Sequence, residues 1–143
     1  MGMILLIEDD GALVRDLSNE LKDLGHDVKN AYSYVSAIEY WKKHEGHFDC
    51  IILDLHINPD GLDISRMNQY YPLIGMAFLD EICKDKSLEE KKYIWKKTVI
   101  YSGYISALMD SAHEFEWNLK LLKLIPKRPL SISHLLTHIK QMI

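Results

Sequence analysis

No stretch of the sequence is apolar over the about 18 residues that a membrane-spanning helix requires, so no contact with the membrane is expected. Cysteine is nearly absent. The two present, Cys50 and Cys83, have no C-x-x-C spacing and no histidine pattern beside them. That disfavours zinc and points to reduced thiols and a cytoplasmic location. There is no long basic run and the net charge is -4, which argues against nucleic acid as a direct partner. A signal peptide is also missing, because the apolar Ile4–Ile7 is too short and runs straight into acids. Repeats and low-complexity segments are lacking. What remains is a chain of 143 residues, 48% hydrophobic, the size and composition of one folded domain spanning 1–143.

The most informative stretch is FDCIILDL, Phe48–Leu55. Cys50, Ile51, Ile52 and Leu53 form an apolar run too short for an independent helix. It reads as a strand covered on both faces, which belongs to a parallel α/β sheet. In such sheets function gathers outside the carboxyl ends of the strands, and Asp54 sits at that end. A carboxylate there is costly unless paired or used. Taken alone, Asp54 could equally cap the next helix.

Taken in order, the chain begins with a second buried run, Met3–Ile7, ending in Glu8-Asp9-Asp10. Asp10 is suited to cap a helix whose Leu13, Val14, Leu17, Leu21 and Leu24 recur at helical spacing before the stop at Gly25. An edge strand is expected at His26–Ala31, then a helix from Ser33 to about His44. After Asp54, residues His56–Tyr71 show a strong turn signal at Asn58-Pro59-Asp60-Gly61 and no clean periodicity. Helical spacing returns at Met76, Leu79, Ile82 and Cys83, and Ser87 is placed to cap a further piece. A fourth strand is expected at Thr98–Tyr101, a helix from Ser106 to about Asn118, a fifth strand at Leu121–Ile125 and an amphipathic last helix. Five strands alternating with about five helices make a three-layer α/β sandwich on a five-stranded parallel sheet, flavodoxin-like in order 2-1-3-4-5.

Four strand ends then carry polar groups: Glu8 and Asp9, Asp54, Ser102, and Lys127 or Arg128. Three carboxylates close together repel one another unless a divalent cation sits among them, and hard oxygen ligands suit Mg²⁺. With a hydroxyl and a cation added, the site can hold a phosphoryl group, and a carboxylate can itself accept one. Here the chain resembles the receiver domain of two-component response regulators over nearly its whole length. ILLIEDD is similar to the family's acidic pair, FDCIILDL to its phosphorylation strand, VIYSG to the strand that ends in its hydroxyl, and LIPKRPLSISHLL to its lysine-proline segment and final helix.

The resemblance implies Asp54 as phosphoacceptor and a signalling module rather than an enzyme. It implies Mg²⁺ held by Glu8, Asp9, Asp54 and the His56 backbone carbonyl, with Ser102 and Lys127 (or Arg128) binding the phosphoryl group. His56 and Tyr104 would tune its lifetime. Expected partners are a sensor histidine kinase or phosphotransfer protein and a downstream protein target, since no output domain follows. Two departures stand out. Residues from about 58 to 74 resemble an insertion between the third strand and third helix, carrying Arg66, Tyr70 and Tyr71, residue types enriched at interfaces. The aromatic that many receivers carry before the lysine is missing at Leu124, Ile125 and Pro126. For the cation, counting back from Pro129 favours Arg128, whereas a compact ammonium suits the site better and favours Lys127. The rival reading is a degenerate receiver that binds partners without being phosphorylated. A haloacid dehalogenase-type phosphatase fits poorly because His56 stands where its second acid belongs. A cobalamin module fits poorly because Pro59 stands where its glycine belongs.

Overall fold

Cys50–Leu53 form a strand with all four residues buried, the pattern of a strand with neighbours on both edges and helices on both faces. The structure, a computed structural model, describes residues 2–115, 118–127 and 132–143. Its elements are β1 (Met3–Ile7), α1 (Gly11–Asp23), β2 (Asp27–Ala31), α2 (Tyr34–Lys43), β3 (Cys50–Leu53), α3 (Ile64–Tyr70), α4 (Ile74–Cys83), α5 (Leu88–Lys96), β4 (Thr98–Ser102), α6 (Ile105–Phe115), β5 (Lys123–Pro126) and α7 (Ile132–Met142). All strand pairs are parallel and the sheet order is β2-β1-β3-β4-β5, as the alternation of elements predicts.

The two faces of the sheet carry separate cores. Ile4, Leu6, Cys50, Ile52, Val99 and Ile125 pack with Val14, Leu17 and Leu21 of α1 and Leu135 and Ile139 of α7. Leu5, Ile7, Ile51, Leu53 and Ile100 face the opposite way, onto Ala37, Phe78, Ile94 and Leu108 from α2, α4, α5 and α6. This is the period-2 alternation of a pleated strand with both faces covered. It explains why β1 and β3 read as continuous apolar runs.

Helix starts follow local chemistry. The Asp10 carboxylate accepts from the N–H groups of Ala12 and Leu13 at 3.1 and 3.2 Å. Ser33 with Ser36, and Ser87 with Glu90, form reciprocal capping boxes. The next two N–H groups of α2 are satisfied from outside the helix, where Tyr34 and Val35 donate to the carbonyls of Asn58 and Asp60, each at 2.9 Å. The Asn58–Gly61 turn thereby docks on α2, and Gly61 takes a φ of 90 that only glycine adopts without strain.

Two expectations need correction. The described residues form seven helices rather than about five, because the piece capped by Ser87 is a full helix, α5, and because residues 64–70 fold into α3 where no periodicity is visible. Tertiary contacts hold this short helix. Arg66 Nη1 donates to the Tyr34 hydroxyl at 3.3 Å and pairs with Glu81 at 3.5 Å, while the Tyr70 hydroxyl donates to Asp80 at 2.6 Å. The fifth strand runs Lys123–Pro126 rather than Leu121–Ile125, because a turn occupies the residues before it, with the Leu121 N–H donating to the Asn118 carbonyl at 3.3 Å. The helix expected from Ser106 to about Asn118 is described over Ile105–Phe115, and residues 116–117 lie outside the described residues. Arg128 and the Leu130–Ser131 start of the last segment lie outside the described residues.

Candidate functional site at the carboxyl edge of the sheet

Parallel register brings the polar strand ends together. Ile7 pairs with Leu53, Leu53 with Ile100, and Ser102 with Pro126, so the residues that follow β1, β3 and β5 emerge on the rim where β4 ends in Ser102. Asp54 is buried at 6% exposure and Glu8 at 2%, while Asp9 is exposed. One oxygen from each of these three carboxylates lies within 4.8 Å of the others.

Lys127 bridges the two buried acids. Its Nζ donates to Glu8 Oε1 at 2.5 Å and to Asp54 Oδ2 at 3.1 Å. Burial works against the ammonium, but the Glu8 hydrogen bond and the Asp54 charge outweigh it and hold Lys127 above the ordinary lysine range. The other Glu8 oxygen accepts from the N–H groups of Asp9 and Asp10 at 3.0 and 3.2 Å. Burial, and then the neighbouring charge of Asp54, push Glu8 up to about 7 despite the opposing pull of Lys127. Arg128, the other candidate, lies outside the described residues. Tyr101 packs within the core, with Lys127 Nζ 5.9 Å from its ring centroid.

Ser102 is fully buried across from Asp54. Its Oγ accepts from the N–H groups of Leu55 at 3.4 Å and Tyr104 at 3.1 Å. Both bonds use the oxygen as acceptor, which leaves the hydroxyl proton to donate to an anion at the rim. The His56 N–H donates to Asp54 Oδ1 at 3.4 Å. Asp54 does not cap the following helix, a role taken by Asp63, whose carboxylate accepts from the Arg66 N–H at 2.8 Å. His56 and Tyr104 stack at 4.9 Å between centroids with 17° between planes.

Two further residues shape the rim. Gly75, in α4, donates its N–H to the Leu55 carbonyl at 2.7 Å, and an added Cβ would collide with the Asp54 carbonyl oxygen. The helix thus rests directly on the backbone that carries the acid. Tyr71, the residue after α3, meets the His56 ring edge-on at 6.1 Å. An isolated glycine inside the helical pattern around Met76, Leu79 and Ile82 signals a packing reason of this kind; no pattern in the sequence points to the Tyr71 contact.

The donor set fits a hard divalent cation. It consists of carboxylate oxygens, and three acids facing one ammonium leave net negative charge at the rim. The same ammonium, hydroxyl and Asp54 oxygen can hold a phosphoryl group between them.

Sheet order, helix placement and this rim together give the chain the fold of response regulator receiver domains. Among solved structures it is similar to the non-phosphorylated HemR receiver domain of Leptospira biflexa, with TM-score 0.69 at 22% identity over 99% of this chain and 94% of that one. A receiver domain protein of Clostridium thermocellum gives TM-score 0.67 at 18% identity over 100% of this chain and 94% of that chain. TrrA of Thermotoga maritima, solved with Mg²⁺-BeF, gives TM-score 0.64 at 19% identity over the whole of both chains. No family model matches the sequence, and no curated protein does. Among the described residues no helix is long and apolar enough to cross a membrane.

Proposed function

We propose that the chain is a phosphoacceptor receiver of a two-component phosphorelay, phosphorylated on Asp54 and signalling by contact with another protein. The observation that carries this reading is the placement of Asp54. It is buried at the end of β3, bridged by Lys127 to Glu8, with Ser102 opposite, at the rim of a receiver fold. The partners are a histidine kinase or phosphotransfer protein upstream and a protein target downstream, in the cytoplasm. Residues 1–143 form one receiver, and 58–74 are an insertion within it.

In the transfer, an Asp54 carboxylate oxygen bonds to phosphorus as the phosphorus–nitrogen bond of a phosphohistidine breaks, and the imidazole leaves with the electron pair. Lys127 is placed to pair with a phosphoryl oxygen while keeping Asp54 in position, and Ser102 to donate its hydroxyl proton to another. Glu8, Asp9, Asp54 and the His56 backbone carbonyl would hold Mg²⁺, which neutralises charge on the phosphoryl oxygens. Beside Asp54, His56 and Tyr104 flank the path of water and so tune the lifetime of the acyl phosphate. The chain is a signalling module that catalyses only its own phosphorylation and dephosphorylation.

The test is incubation with acetyl phosphate and Mg²⁺ followed by intact mass measurement. Wild type should gain the mass of one phosphate and Asp54→Ala should gain none while keeping its fold. Labelling of Asp54→Ala at the wild-type rate refutes the assignment. A wild-type protein that never labels is instead a degenerate receiver.

A further inference from the structure

Two loops beside Asp54 each place a ring two residues beyond a site residue. His56 follows Asp54 and Tyr104 follows Ser102, and the two rings stack face to face. Burial does not hold them there, since His56 is exposed and Tyr104 is 39% exposed. A stack of two surface rings gains little in water and must overcome the rotamer freedom of both side chains. A third ring braces it. Tyr71 lies edge-on to His56, at 6.1 Å and 73°, although Tyr71 is itself 67% exposed.

The backbone behind Tyr71 is fixed. Its N–H donates to the Met67 carbonyl at 2.9 Å, and α3 is tied to α2 and α4 through Arg66 and Tyr70. The ring therefore reaches His56 from an anchored segment and not from a free loop. Tyr71 buries too little surface to matter for the core. What it touches is the stack beside the acceptor.

We propose that Tyr71 is a positioning residue for the phosphoacceptor: it fixes His56, and through the stack Tyr104, across the approach to Asp54, and so sets how long the phosphorylated state lasts. This inference rests on the reading of Asp54 as acceptor. In hydrolysis a water oxygen bonds to phosphorus as the bond from phosphorus to the Asp54 oxygen breaks. The carboxylate is restored, and inorganic phosphate and a proton pass to solvent. Rings fixed beside Asp54 deny water that approach; rings free to rotate admit it.

The experiment compares wild type, Tyr71→Ala, Tyr71→Phe, Tyr104→Ala and the double variant Tyr71→Ala/Tyr104→Ala. Each is labelled with acetyl phosphate and Mg²⁺, and loss of the phosphate mass is followed in time. Tyr71→Ala should shorten the lifetime about two- to tenfold, the range set by one edge-to-face ring contact. Tyr71→Phe should restore the wild-type lifetime, because the contact uses the ring and not the hydroxyl. Tyr71→Ala should add nothing in the Tyr104→Ala background, since both act through one stack. A second readout needs no phosphate: the His56 ring protons, shifted upfield by the Tyr104 face, should move toward unstacked values in Tyr71→Ala. Unmoved His56 shifts, an unchanged or longer lifetime in Tyr71→Ala, or additive effects in the double variant overturn the role of Tyr71. Wild type that takes up no phosphate fails differently, overturning the acceptor reading and the lifetime role with it.

Discussion

Replacing Gly75 by alanine sets two effects of known size against each other. Within a helix, alanine is favoured over glycine by about 1 kcal/mol, so an unobstructed substitution in α4 would stabilise the protein. Gly75 has ordinary helical backbone geometry, and the outcome turns on space alone. A Cβ there would strike the Asp54 carbonyl oxygen and come within 3.0 Å of Leu55 Cα. Both are backbone atoms of the segment leaving β3, so neither can swing aside as a side-chain tip would. Relief requires α4 to lift from the sheet, stretching the 2.7 Å bond from the Gly75 N–H to the Leu55 carbonyl. Overpacking of this kind costs about 1–3 kcal/mol or more, and against backbone the upper end applies. The net expectation is a loss of about 2 kcal/mol, which for a domain of this size lowers Tm by roughly 4–8 °C. Gly11 is the control, because a Cβ added at this first residue of α1 meets nothing within 4 Å. Gly11→Ala should be neutral or stabilising by about 0.5 kcal/mol. Thermal and urea unfolding of the two variants beside wild type decide the matter, and Gly75→Ala should also take up phosphate more slowly because the Asp54 backbone is displaced. A Gly75→Ala protein as stable as wild type would refute the close packing of α4 on the acceptor strand.

Glu8, raised to about 7 from an ordinary 4.5, holds its proton more tightly folded than unfolded. Its contribution to stability is greatest below pH 4.5 and is lost as pH rises toward 7, by about 3 kcal/mol in all, and Mg²⁺ should recover much of that loss at pH 7.5. Denaturant titrations at pH 5.5 and 7.5, with Mg²⁺ and with chelator, measure this; metal-free stability that rises between those pH values contradicts it. Lys127→Ala strips the shared ammonium from two buried carboxylates and should cost about 3 kcal/mol, the low end for a broken buried pair. In the same variant, phosphate uptake should persist while the accompanying change in amide spectra is reduced, and an unaltered spectral response would count against Lys127 as the group that couples the two.

The architecture was legible because burial on both faces writes itself into sequence. Ile4–Ile7 and Cys50–Leu53 have no polar face to show, and only a parallel sheet between helix layers uses such strands. Asp10, Ser33 and Ser87 announced their helices because capping is local chemistry. What escaped depends on contacts between distant residues. Helix α3 is short and polar, and it is held by Arg66 reaching Tyr34 and Glu81, partners 32 and 15 positions away that its own pattern cannot reveal. The Tyr71–His56 contact likewise joins two loops with no period. At the site, the acids at strand ends were visible as a set. That one ammonium satisfies both Glu8 and Asp54 is a matter of distance, which residue order alone does not specify.

The Lys127–Glu8 pair joins residues 119 positions apart, and the Lys127–Asp54 pair spans 73. No hairpin or single helix–strand unit contains even two of these three groups. Closing such loops is among the last events to be rewarded in folding, since their chain entropy must be overcome before the contact forms. The rim therefore needs β1, β3, β4 and β5 assembled together before its three groups can meet. A ligand that binds across it acts on the global unfolding equilibrium, adding about 2.7 kcal/mol at a hundredfold excess over its Kd. Amide exchange should then slow together in β1, β3, β4 and β5 when the site is filled, so that occupancy of a few oxygens at the rim is felt as tightening of the entire core.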